Sequence, residues 1–109
     1  MYNKLVLNYF NNPRHVGTFP EDANNIITKM LGNKDTNFFA QLQIQCVDGK
    51  ILEARFKACG DPYLIALMSY VTEFMTRNDT QTLSADELVH LFELPDLKKH
   101  YAALVLGLV

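Results

Sequence analysis

Between residues 40 and 58, apolar and polar positions alternate with a period of two. Ala40, Leu42, Ile44 and Cys46 alternate with Gln41, Gln43 and Gln45, while Leu52, Ala54, Phe56 and Ala58 alternate with Glu53, Arg55 and Lys57. Successive side chains of a strand point to opposite faces, so each run predicts a strand with one face on a core and one in water. Asp48-Gly49 supplies the positive-φ residues that a tight hairpin turn requires, and joins the runs into a β-hairpin. Cys46 falls in the inward set, where a thiol behaves as a small hydrophobe.

The period changes after Cys59-Gly60. Leu64, Leu67, Met68, Val71, Phe74 and Met75 recur at three and four, the stripe of a helix that buries one face, running to about Arg77. Asp61 stands where an N-cap belongs and Pro62 takes the favoured first helical position. Asn78-Asp79-Thr80 breaks this helix. Ser84-Ala85-Asp86-Glu87 then forms a Ser-x-x-Glu capping box for a short helix to about Phe92. Leu94-Pro95 separates a last helix beginning near Asp96. At the other end, Leu5, Leu7, Tyr9 and Phe10 predict a short helix stopped by Asn11-Asn12-Pro13. Residues 26–31 (Ile-Ile-Thr-Lys-Met-Leu) are a third strand, stopped by Gly32-Asn33-Lys34-Asp35. Helix, three strands, then helices predicts an α+β domain: a small three-stranded antiparallel sheet with helices packed on one face.

The chain has 109 residues, 49% of them apolar, which suits one domain with one core. A net charge of −2 and the lack of any basic run give no electrostatic footprint for nucleic acid or anionic lipid. No apolar stretch approaches the roughly 20 residues of a membrane span, and the N-terminal residues lack the apolar core of a signal peptide. A cytoplasmic location is expected. Two cysteines, Cys46 and Cys59, cannot make a disulfide framework. No nucleophile–base pair, phosphate-cradling glycine loop or paired-carboxylate signature points to an enzyme.

Four segments carry a family resemblance: Asn12-Pro13-Arg14-His15-Val16-Gly17; Leu52-Glu53-Ala54-Arg55-Phe56-Lys57; Ile65-Ala66 with Val71-Thr72-Glu73; and Leu94-Pro95-Asp96-Leu97-Lys98-Lys99-His100. Together the chain resembles the IscU/NifU N-terminal family of iron–sulfur cluster assembly scaffolds, over nearly its whole length. The resemblance implies the same α+β fold, with a last helix that ends early here. It also implies three cysteine thiolates holding a cluster, soft anions that bind iron strongly. The motifs place Thr36, Asp61 and Tyr101 at those three positions. The family's Gly-x-x-x-Cys-Gly-Asp segment corresponds to Gly32-Asn33-Lys34-Asp35-Thr36-Asn37-Phe38, so Phe38 stands where the assisting aspartate would be. Beside the second position, Tyr63, Leu64, Leu67 and Met68 replace the family's small residues and suggest a repacked interior.

Two functional readings follow. In the first, the chain is a scaffold-like protein of cluster assembly that acts through partner binding or self-association, with no standard cluster. The partners implied by the resemblance are a cysteine desulfurase and a chaperone that reads a Leu-Pro-Pro-Val-Lys loop. Here Leu94, Pro95, Asp96, Leu97 and Lys98 stand in that loop, with Asp96 offering a helix N-cap in place of the second proline. An inter-helix loop with a cap is the plain alternative, as a simple helix stop is for Asn12-Pro13-Arg14. In the second reading, Cys59, Asp61 and His100 converge to hold iron or zinc weakly, with Asp35 or water as fourth ligand; zinc accepts Cys, Asp and His in tetrahedral sites. That reading needs an exposed Cys59, against the alternative in which Cys59 closes the apolar alternation of its strand. The apolar end Leu106-Gly107-Leu108-Val109 makes a homodimer an option.

Overall fold

The β-hairpin is the centre of the computed structural model, which describes residues 2–77 and 83–108. Its strands are β2 (Phe38–Val47) and β3 (Lys50–Cys59). Asp48 and Gly49 both take positive φ, 52° and 77°, as the tight turn demands. Strand β1 (Ile26–Asn33) pairs antiparallel with β2, so the sheet is a meander in the order β1-β2-β3. The free side of β3 is covered by the Arg14–Gly17 neighbourhood: Gly17 N–H donates to the Phe56 carbonyl at 2.9 Å and Phe56 N–H to the His15 carbonyl at 3.0 Å. No helix among the described residues is long and apolar enough to cross a membrane.

Cross-strand partners Leu42 and Phe56, and Ile44 and Ala54, form the buried face. Against it lies α2 (Pro62–Thr76), whose Leu64, Leu67, Met68, Val71 and Met75 are all buried. Burying each such side chain contributes roughly 1.5–3 kcal/mol. Helix α1 (Lys4–Asn11) packs on α2, and α3 (Ala85–Leu91) and α4 (His100–Leu106) complete the helical layer. The caps are those the residues call for. Asn3 accepts from Val6 N–H at 2.9 Å, and Ser84 from Glu87 N–H at 3.1 Å. The helix break expected at Asn78-Asp79-Thr80 lies outside the described residues.

Three local expectations need correction. The register between β2 and β3 shifts at Gln45/Cys46: Gln45 faces Glu53, but Cys46 faces Ile51. This β-bulge leaves Leu52 as the extra residue, and it is 61% exposed instead of inward, while Ile51 packs on the core in its place. Second, the last helix does not start as α-helix at Asp96. Asp96–Lys98 is a 3-10 turn, with Pro95 in the capping position and Asp96 paired to Lys99 at 2.8 Å. Asp96 therefore does not cap a helix. Third, β1 continues through Gly32 and Asn33 before a 3-10 turn over Lys34–Thr36.

Gly32 explains why that continuation is possible. Its φ is +76°, and a Cβ there would lie 2.1 Å from the Phe38 carbonyl oxygen. Gly49 has a similar φ, +77°, but open space around it. Gly49→Ala should cost about 1 kcal/mol, from φ alone. Gly32→Ala should cost roughly 1–3 kcal/mol beyond that, because backbone must move to relieve the clash. Urea unfolding of the two variants checks this; equal costs would show that the Gly32–Phe38 approach is not needed.

Candidate functional site

The turn before α2, the β1–β2 connection and the start of α4 meet at one end of the sheet. Asp61 caps α2: its Oδ1 accepts from Leu64 N–H at 3.1 Å. Its Oδ2 faces the other way and meets two donors. The Lys98 ammonium lies 2.7 Å from it, and the Tyr101 hydroxyl donates to it at 3.1 Å. Lys98 Nζ also donates to the Tyr101 oxygen at 3.0 Å, which closes a triangle of three polar groups. Tyr101 is a buried residue of α4, with its ring tilted against Phe38 of β2 at 5.3 Å between centroids. Tyr63, Leu64, Leu67 and Met68 of α2 are buried.

The electrostatics follow from this geometry. Burial would raise the Asp61 carboxyl, but hydrogen bonds from Lys98, Leu64 N–H and Tyr101, with the nearby ammonium charge, outweigh it and hold the group below the usual carboxylate range. The same contacts with Asp61 and Tyr101 raise Lys98. The lysine–carboxylate pair is partly exposed, 34% and 25% by side chain, so it contributes no more than about 1 kcal/mol.

Thr36 is exposed and remains local, its hydroxyl donating to the Asn33 carbonyl at 2.9 Å. Asn37 takes the left-handed conformation, φ 56° and ψ 23°, at the position where the resemblance puts a glycine. Asn is one of the few side-chain-bearing residues that accept it. Asp35 N–H donates to Asn33 Oδ1 within the same turn. Cys59 is exposed, so it does not close the apolar run of its strand; Cys46 is half-buried and packs on the core. A shallow cleft next to Cys59 is lined by Phe39, Lys57 and Ala58. His100 is exposed, its ring edge-on to Tyr101 at 4.9 Å. Among the described residues, no group of three or more His, Cys, Asp and Glu is placed to hold a metal ion.

In the 94–98 segment Leu94 is buried, while Leu97 is 85% exposed. Arg14 of the Asn-Pro-Arg turn is engaged within the chain. Its N–H donates to Ser69 Oγ at 2.7 Å, and its guanidinium stacks on Tyr9 at 4.0 Å and donates to Asn8.

A family model described as NifU-like N terminal domain matches residues 1–108. The chain belongs to this family. It is 33% identical over 107 residues to the iron–sulfur cluster assembly scaffold protein IscU of Escherichia coli strain K12, covering 94% of this chain and 84% of that protein. Iron-sulfur cluster assembly protein 2 of Arabidopsis thaliana is 32% identical over 108 residues, covering 95% of this chain and 66% of its own length. Among solved structures, a hypothetical protein determined at 2.3 Å resolution superimposes with a TM-score of 0.57 at 22% identity, covering 95% of this chain and 78% of that one. That likeness concerns the fold, which is the α+β arrangement expected of the NifU-like domain.

For this NifU-like domain, sequence reasoning named Asp61 and Tyr101 singly and missed their pairing, along with the part of Lys98. A signal existed: a carboxylate and a phenol at two positions that the family brings together can hydrogen-bond, and a nearby lysine can neutralise the carboxylate.

The depressed Asp61 carboxyl sets a pH dependence. A carboxyl depressed in the folded state adds stability above its unfolded pKa of about 3.9, and that contribution is lost as pH falls through the lower folded value. The raised Lys98 adds stability below about 10.4 and loses it only as pH rises through its higher folded value. Asp61→Asn keeps a capping oxygen but no charge. The stability advantage of the wild type over this variant should therefore be constant near neutrality, begin to fall below about pH 4 and be gone once the pH lies below the folded value, measured by urea unfolding across pH. An advantage that persists in acid would show that the charge of Asp61 is not what stabilises it.

Proposed function

We propose that this chain acts in iron–sulfur cluster assembly as an IscU-like scaffold protein that works through partner binding or self-association, without a cluster held on three thiolates. The observation that carries the reading is the closed set of hydrogen bonds among Asp61, Tyr101 and Lys98. Two of the three positions at which the family resemblance places thiolates are committed to one another. The donors there are a carboxylate and a phenol, with the Thr36 hydroxyl at the third position. These are hard oxygens, each already in a hydrogen bond within the chain, whereas an iron–sulfur cluster takes soft thiolates. A cluster, as cargo of the pathway, does not match this donor set.

The kinds of partner that fit are those of the assembly pathway, a cysteine desulfurase or a cluster-assembly chaperone. The exposed Leu97, in the segment from residue 94 to 98, is the surface assigned to them. The chain is read as a binding protein and not as an enzyme, in keeping with relatives named as scaffolds.

Two experiments test the proposal. Anaerobic reconstitution with iron and sulfide, followed by visible absorption and metal analysis including zinc, should give no stoichiometric cluster or metal in the wild type or in Cys59→Ala. Metal bound by the wild type and absent from Cys59→Ala would overturn the reading in favour of a relocated site at Cys59. Binding of purified desulfurase or chaperone, measured by calorimetry, should weaken about tenfold or more in Leu97→Ala, the loss of a residue that is a hot spot of its interface. Wild-type affinity in that variant would remove the 94–98 surface from the proposal.

A further inference from the structure

Residues 94–101 hold an exposed leucine in a turn that is tied down at both ends and from within. Leu94 is buried at one end of the segment and Tyr101 at the other. Between them the chain is closed on itself: Lys98 N–H donates to the Pro95 carbonyl at 2.8 Å, and the Lys99 ammonium pairs with Asp96 at 2.8 Å. Lys98 then reaches away from the turn, to Asp61 at the start of α2 and to the Tyr101 hydroxyl. Leu97 is the large apolar side chain that the segment leaves outward, at 85% exposure, flanked by the exposed polar residues Asp96 and Lys99.

From this we infer that Lys98, Asp61 and Tyr101 act as a clasp, which fixes the 95–99 turn against the N-terminus of α2 and so presets the direction in which Leu97 is presented. The physical case is one of entropy. A short turn anchored only by its ends samples several conformations, and a partner that binds Leu97 would have to select one of them. Tying Lys98 to a helix N-terminus some forty residues away removes that freedom before any partner arrives. The tie is made to a rigid point, because Asp61 is itself held by Leu64 N–H. Tyr101 orients the assembly: its ring is fixed by burial and by Phe38, and its hydroxyl touches both charged partners. Each of the three is a positioning residue. None is required to touch the partner.

The functional meaning of the clasp rests on the reading of the 94–98 surface as a recognition element, but the clasp itself belongs to the free chain. The test is therefore made on the isolated full chain, by amide hydrogen exchange near neutral pH on the wild type, Lys98→Met and Tyr101→Phe. Both substitutions keep the apolar stem or ring, so folding is preserved, with unchanged exchange in β2 as the control. Loss of a hydrogen bond worth about 1 kcal/mol should speed exchange of the Lys98 amide and the first amides of α4 roughly fivefold. The double variant should be little worse than either single one, because the two side chains act as a unit. Exchange unchanged in both single variants, or raised equally in β2, would overturn the clasp. The two ideas fail separately: wild-type affinity in Leu97→Ala removes the recognition surface and leaves the exchange result standing.

Discussion

The packing of α2 across the hairpin face of β2 and β3 is the constraint on which the rest of this molecule depends. Leu42, Ile44, Ala54 and Phe56 bury their side chains only if a helix with a broad apolar stripe lies over them, and Leu64, Leu67, Met68 and Val71 supply that stripe. Once the helix is laid on the strands, its N-terminus must sit beside the end of β3, joined to it by Gly60 and Asp61. Every feature of the candidate site is then placed by short connections. The β1–β2 turn arrives through Gly32, and α4 is brought in by the burial of Leu94, Tyr101 and Ala102.

The chemistry at that meeting point is that of oxygen and nitrogen. A carboxylate that caps a helix already has one oxygen satisfied and a charge to neutralise with the other; a lysine and a phenol do so within hydrogen-bonding distance. Phe38 and Tyr101 add an apolar wall where charge would otherwise be exposed. Such a site is self-contained. It needs no bound group to satisfy its polar atoms, which separates it physically from a cup of free thiolates.

Local patterning made much of this legible. The two-residue period of the hairpin, its Asp-Gly turn, the stripe of α2 and the caps at Asp61 and Ser84 are encoded within a few residues of where they act, and each is found in place. Family motifs drew attention to Asp61 and Tyr101, two of the residues that meet here. What escaped was non-local or a matter of one residue. The bulge that turns Leu52 outward leaves no trace in an alternation that continues unbroken past it. The exposure of Cys59 depends on the strand ending at that residue, and the pairing of Asp61 with Tyr101 joins positions forty residues apart. A 3-10 turn at Asp96 differs from an α-helical start only in the ladder of carbonyl partners, which residue type hardly signals.

The backbone at Asn37 has a consequence of its own. Its left-handed conformation is the one that a glycine would adopt without strain, and the neighbouring Gly32 takes a positive φ where a Cβ would run into the Phe38 carbonyl. The connection between β1 and β2 thus passes through two positions of positive φ, one filled by glycine and one by asparagine. A turn built in this way is set by its backbone, so its course is decided by which residues tolerate positive φ more than by the side chains it displays.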